Sequence, residues 1–149
     1  MESSLIVAGC VFPIPDPEMQ RQWLAAVHTA ARCCSAEVVG AVAPVTVGRS
    51  FARVLVRGSG GDSTTVMLNP AIRLVGAVSG DHSLVATAEF VTVAGAEVFL
   101  ANGFAIADPL DLATSLTEGH LLPLKDEEAE QVRYHQPDRV GDVVFNWFD

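Results

Sequence analysis

The sequence predicts an α+β fold: an antiparallel sheet of about five or six strands packed by an N-terminal helix, with a short C-terminal helical closure. Three observations lead there. Half of the 149 residues are apolar and only 18% are charged, which suits one domain over residues 1–149 with a substantial core. The apolar spacing is helical near residues 16–34 and then gives way to β-branched runs separated by Gly and Pro. After Asp108-Pro109 the strand composition ends and helical spacing returns.

Residues 5–12 (LIVAGCVF) form a short apolar run closed by Pro13-Ile14-Pro15, and a run of that length ahead of prolines reads as a first buried strand. Asp16 then caps a helix with Pro17 at its first position, and Met19, Trp23, Ala26, Val27 and Ala30 recur at three- and four-residue intervals. β-Branched residues dominate 37–47, 51–57 and 64–68, with Gly58-Ser59-Gly60-Gly61-Asp62 as the hairpin loop between the last two. The segment 69–80 fits a turn followed by either a short helix or a strand. Residues 84–93 and 96–106 flank Ala94-Gly95 and read as another hairpin. Asp126 to Tyr134 carries three acids in its first turn, where the helix dipole favours them. Asp138 caps a final helix whose Val140, Val143, Val144, Trp147 and Phe148 share one stripe.

Charge excludes several functions. Eighteen acidic residues against nine basic ones leave a net charge of −9, which repels phosphate backbones and anionic lipid. Nucleic acid and membrane surfaces are therefore not expected partners, whereas a basic protein is. No stretch reaches the ~18 uninterrupted apolar residues of a membrane span. Cys10, Cys33 and Cys34 are odd in number and two are adjacent, unlike a secreted disulfide framework, so a reducing cytoplasm is the expected setting. Leu5 to Cys10 resembles a lipoprotein cleavage box, but Met1-Glu2-Ser3-Ser4 carries no positive charge and the apolar run is shorter than the about 7–15 residues of an export signal.

The motifs of common chemistries are missing. His28, His82, His120 and His135 show no metal-ligand spacing with one another or with the cysteines, and no cofactor or metal is expected. Asp81-His82-Ser83 holds the residue types of a hydrolytic triad, yet adjacent residues in a turn cannot align base and nucleophile. Gly58-Ser59-Gly60-Gly61 lacks the Lys-Ser/Thr of a phosphate loop and precedes a strand rather than a helix. For an enzyme, the candidate acids and bases are Glu89, Glu97, His82 and His120, of which at least one would line an internal cavity.

The ending Gln136-Pro137-Asp138-Arg139-Val140-Gly141-Asp142-Val143-Val144-Phe145-Asn146-Trp147-Phe148-Asp149 resembles the tail of a group of short uncharacterised bacterial proteins. That tail runs Pro, two variable residues, Val-Gly-acid, two aliphatics, Phe-Asn, an aromatic pair and Asp. The likeness covers about the last 20 residues, with Phe148 where the tail carries Trp. It implies a bacterial source and no particular activity.

Three functions remain. The first is a small acidic protein-binding module, immunity- or antitoxin-like, that neutralises a basic partner through the exposed acids Asp126, Glu127, Glu128 and Glu130. The second is a small enzyme or carrier with an apolar cavity for a hydrophobic metabolite. The third is a homo-oligomer built by pairing exposed sheet edges.

Overall fold

The computed structural model describes residues 5–46, 48–81, 88–146 and 148. Helix α1 runs Pro17–Cys33, opened by the Asp16 carboxylate, which accepts from the Met19 N–H at 3.0 Å. Strands β1 (Ala36–Ala43), β2 (Ala52–Gly58), β3 (Ser63–Asn69) and β4 (Leu74–Ser79) follow as an antiparallel meander. Gly58-Ser59-Gly60-Gly61-Asp62 makes the β2–β3 hairpin, closed by Gly58 N–H to Asp62 C=O at 2.8 Å. The far edge of β4 is shared by β5 (Phe90–Val91), antiparallel, and β6 (Ala105–Ile106), parallel. The six-stranded sheet with its N-terminal helix and short C-terminal helices is the α+β architecture that the sequence predicts.

The strand register assigns the two faces. Val54 opposite Val66 and Leu68 opposite Val75 turn one face toward Trp23, Ala26, Val27 and Ala30 of α1. On the other face Phe51, Met67, Leu74 and Val78 meet Ile6, Cys10 and Val11 together with helices α3 (Pro109–Leu112), α4 (Asp126–His135) and α5 (Val140–Val144). Helices cover both faces, so β4 is buried from Leu74 to Val78 and reads as a continuous apolar run rather than an alternating one.

Three local expectations are corrected. Residues 5–12 form an irregular turn, not a strand. They are apolar because Ile6, Cys10 and Val11 plug the core, and their backbone groups are satisfied by side chains instead of a neighbouring strand. The 84–93/96–106 hairpin is absent among the described residues, since Ala96–Ala101 is helix α2, followed by β6. Gly95 does reverse the chain, with φ of 71°, but into a helix, and a Cβ there would meet the Ala30 Cβ of α1 at 2.6 Å. A short apolar segment cannot distinguish strand from helix by period alone, and Ala, Glu and Leu within 96–101 favour the helix. Finally, α5 is capped by Arg139 rather than Asp138, and ends at Val144.

Glu128, expected among the exposed acids, is only 2% exposed. Its carboxylate accepts from Gly9 N–H (2.9 Å), Val11 N–H (3.0 Å) and Lys125 N–H (3.2 Å). The cause is helical phase. Glu128, Ala129 and Val132 share the side of α4 that faces the core, while Asp126, Glu127 and Glu130 face outward. The matching carbonyls of the turn are held by carboxamides, Asn69 Nδ2 donating to Cys10 C=O at 3.0 Å and Asn146 Nδ2 to Val11 C=O at 3.2 Å.

The tail motif acquires a physical meaning here. Arg139 clasps Asp142 through two bonds, at 3.0 and 2.8 Å, donates to Ala88 C=O at 3.0 Å and lies 4.3 Å from the Phe90 ring centroid. A Cβ on Gly141 would sit 2.2 Å from that same ring. Phe145 packs edge-on against Phe51, centroids 6.0 Å apart.

Three substitutions test this reading. Glu128→Ala should cost about 2–4 kcal/mol in urea unfolding, because it strands the buried Val11 N–H and half-strands Gly9, whereas Glu127→Ala should stay within about 0.5 kcal/mol. Gly141→Ala should cost about 1–3 kcal/mol by displacing Phe90. Equal melting of Glu128→Ala and the wild type would refute the first statement.

Candidate functional site

Securing residues 9–11 from behind leaves Phe12, Pro13 and Pro15 as one wall of an open groove of about 780 Å³. The opposite wall is the outer face of α4, where Glu127, Glu130 and Gln131 recur at helical spacing. Val11, Val45 and Phe148 form an apolar floor, and Thr46, Gly48 and Arg49 close one end. Phe148 is fixed there by its N–H on Gly48 C=O and by a ring stack on His135, with centroids 4.4 Å apart and planes within 4°. Arg49 donates to Phe51 C=O at 3.2 Å and to Pro44 C=O. Burial, and then the positive charge of Arg53, lower its pKa from the ordinary guanidinium value. The groove thus combines an apolar floor, two carboxylates on one wall and a fixed guanidinium at one end.

Of the acids expected to meet a partner, Glu127 and Glu130 line this groove, Asp126 is exposed outside its lining, and Glu128 is withdrawn from the surface as described. The catalytic candidates do not converge. Glu89 is exposed and its backbone carbonyl accepts from Ser79 N–H at 2.9 Å. Glu97 is exposed in the first turn of α2. His120 is half-buried, its Nδ1 accepting from Thr117 N–H at 2.9 Å to close a short 3-10 turn, Glu118–Leu121. His82 lies outside the described residues. A smaller cavity of about 170 Å³ between α1 and the sheet is lined by Val27, Ala30, Val56, Val66 and Phe99, with Cys34 and Asp62 also in its lining. Glu89, Glu97 and His120 do not line it.

No family model, curated protein or solved structure matches this chain. Its own geometry therefore carries the functional argument. Among the described residues, no helix is long and apolar enough to cross a membrane.

Sequence reasoning missed Arg49, Phe12 and Val45 as groove residues, and Asn69 and Asn146 as the groups that fix the groove wall. Asn146 was visible as a polar member of the apolar tail able to bond a loop, though not which loop. Asn69 was visible only as a turn residue before Pro70. Neither carries a signal of what it binds, because their partners are backbone carbonyls 59 and 135 residues away.

Cys10 lies directly behind the groove wall, fully buried. Burial pushes its thiol from the ordinary 9.0 up to about 11, with a hydrogen bond to Val7 pulling the other way and the Glu128 charge adding to the rise. A thiol that holds its proton more tightly when folded contributes stability that is complete below pH 9.0 and is lost as pH rises toward 11. Iodoacetamide at neutral pH should therefore label the exposed Cys33 and Cys34 and spare Cys10. The decline of stability above pH 9.0 should flatten in Cys10→Ala, as read by denaturant unfolding at a series of pH values.

Proposed function

We propose that this chain is a small acidic binding module whose groove between α4 and the Phe12–Pro15 wall captures a basic protein partner, in an immunity- or antitoxin-like role. The observation that carries the reading is the joining of Glu127 and Glu130 to an apolar floor of Val11, Val45 and Phe148 in one groove of about 780 Å³. Carboxylates beside exposed aromatic surface suit a Lys or Arg side chain whose neighbours are aliphatic or aromatic. The net charge of −9 adds long-range attraction for such a partner, which raises the rate of encounter more than the final affinity. Phe12 of that wall is 46% exposed and Ile14, outside the groove lining, is 84% exposed, the kind of apolar surface that an interface covers. A bacterial cytoplasmic setting is part of the reading, supported by the tail and by three free thiols.

The alternative, an enzyme or carrier for a hydrophobic metabolite, rests on the cavity beneath α1. At about 170 Å³ it is smaller than the roughly 300–1,000 Å³ of most small-molecule sites.

Fluorescein-labelled peptides rich in Lys and Arg, each with one aromatic or branched aliphatic residue, provide the test. Association should weaken at least about tenfold from low to physiological salt, mainly through the on-rate. Glu127→Lys combined with Glu130→Lys should slow it by about tenfold or more without changing the melting temperature, since both side chains are exposed. An unchanged on-rate and salt dependence in the double variant would reduce the acidic face to a solubility feature.

A further inference from the structure

The space beneath the end of α1 has a chemistry of its own, distinct from that of the groove. Val27, Ala30, Ala31 and the cap residue Cys34 recur at three- and four-residue spacing, so a single stripe of the helix overhangs it. Ala30 and Ala31 are too short to fill what lies below them. From the sheet, Val56 and Thr64 are partners in register and Val66 lies two residues on, which turns all three to the α1 side. The resulting cavity of about 170 Å³ is small for most metabolites, yet a cavity of about 150 Å³ is enough for a benzene ring.

Its mouth is polar and carries one sign of charge. The exposed polar members of the lining are Cys34, Asp62 and Thr92, and the lining holds no Lys or Arg. The β2–β3 hairpin places Asp62 over β2: a Cβ on Gly58 would lie 2.8 Å from Asp62 Oδ1, so the carboxylate occupies room that a glycine leaves. Among the described residues, this carboxylate has no ion pair or hydrogen bond, and the Thr64 and Thr92 hydroxyls have no hydrogen-bond partner. The C-terminal end of the 17-residue helix α1 lies over the same cavity, and its dipole favours a cation there. Arg32 of that last turn does not supply the cation, since it is exposed and donates to Thr29 Oγ1 at 3.4 Å.

We infer that this cavity is a binding site for a small primary ammonium compound whose body is one ring or a short branched chain. The apolar body lies beneath Ala30 and Ala31, and the ammonium, with three donors, is held at the mouth by the Asp62 carboxylate and the threonine hydroxyls. No residue of the groove takes part, so the outcome is independent of the protein-binding reading.

The two neighbouring thiols report on this site, because both are exposed but only Cys34 lines the cavity. Cys33→Ser and Cys34→Ser each leave one exposed thiol, whose rate of alkylation by iodoacetamide at neutral pH is measured against benzylamine concentration at constant ionic strength. Benzylamine, protonated under these conditions, should slow labelling of Cys34 saturably by about fivefold or more, with half-protection at about 0.1–5 mM, and leave Cys33 unchanged. Benzyl alcohol, of the same shape without the charge, should bind about threefold or more weakly, and benzoate should give no protection. Asp62→Asn should weaken benzylamine by about three- to tenfold, leave benzyl alcohol unchanged and melt with the parent protein, since the side chain is exposed. Ala31→Met places a flexible side chain in the space and should abolish protection by both compounds. Failure of benzylamine to slow Cys34, or equal slowing of Cys33, would overturn the site. Undiminished benzylamine protection in Asp62→Asn would overturn the ammonium assignment, and this variant decides the matter even where Ala31→Met melts lower.

Discussion

A single buried carboxylate governs how the two ends of this chain meet. Glu128 takes the Gly9 and Val11 N–H groups, while Asn69 and Asn146 take the Cys10 and Val11 carbonyls, so a turn with no strand neighbour is nevertheless satisfied. That satisfaction allows Ile6, Cys10 and Val11 to enter the core without stranding their own backbone. Ser50 extends the network, its hydroxyl donating to Val144 C=O at 2.9 Å and accepting from Asn146 N–H at 2.8 Å. Residues from the N-terminal turn, β3, α4 and the chain's end thus share one set of hydrogen bonds, whose members depend on one another in a low-dielectric interior.

The second constraint is steric and belongs to the tail. Gly141 leaves room for the Phe90 ring, Arg139 covers that ring and holds Asp142, and Phe145 reaches across to Phe51 and the bare backbone of Gly76. These contacts press α5 onto β4 and β5, and they give a reason for small, acidic, aliphatic and aromatic residues at successive positions of the tail. The tail therefore reads as a packing device, in which Arg139 holds Asp142 and the Ala88 carbonyl while Asn146 Nδ2 holds the Val11 and Val143 carbonyls.

The groove follows from both. Once α4 turns Glu128, Ala129 and Val132 inward, Glu127 and Glu130 must face out, beside the wall that Glu128 holds in place. Three carboxylates within four residues consequently have two different tasks, one in the core and two at the surface. Separation of the acidic wall from the arginine end gives the groove a polarity that net charge alone would not suggest.

Much of the architecture was legible in residue order. Asp16-Pro17 and the spacing of Trp23, Ala26, Val27 and Ala30 specify α1, and the Gly-rich loop before Ser63 specifies the β2–β3 hairpin, because capping, helical period and turn chemistry are all local. The acids of α4 were legible as a cluster on a helix for the same reason. The facing of Glu128 was not, since it depends on which side of α4 meets the sheet. Nor was the helix at Ala96–Ala101, where packing of Phe99 beneath α1 overrides an apolar pattern that suits either structure. The sequence by itself determined the fold class, the sign of the charge and the principal helix, all of which follow from composition and short-range period. Tertiary structure alone decided that Glu128 is an internal ligand for the N-terminal turn and that Asn69 and Asn146 complete it, because each depends on contacts between residues far apart in the chain.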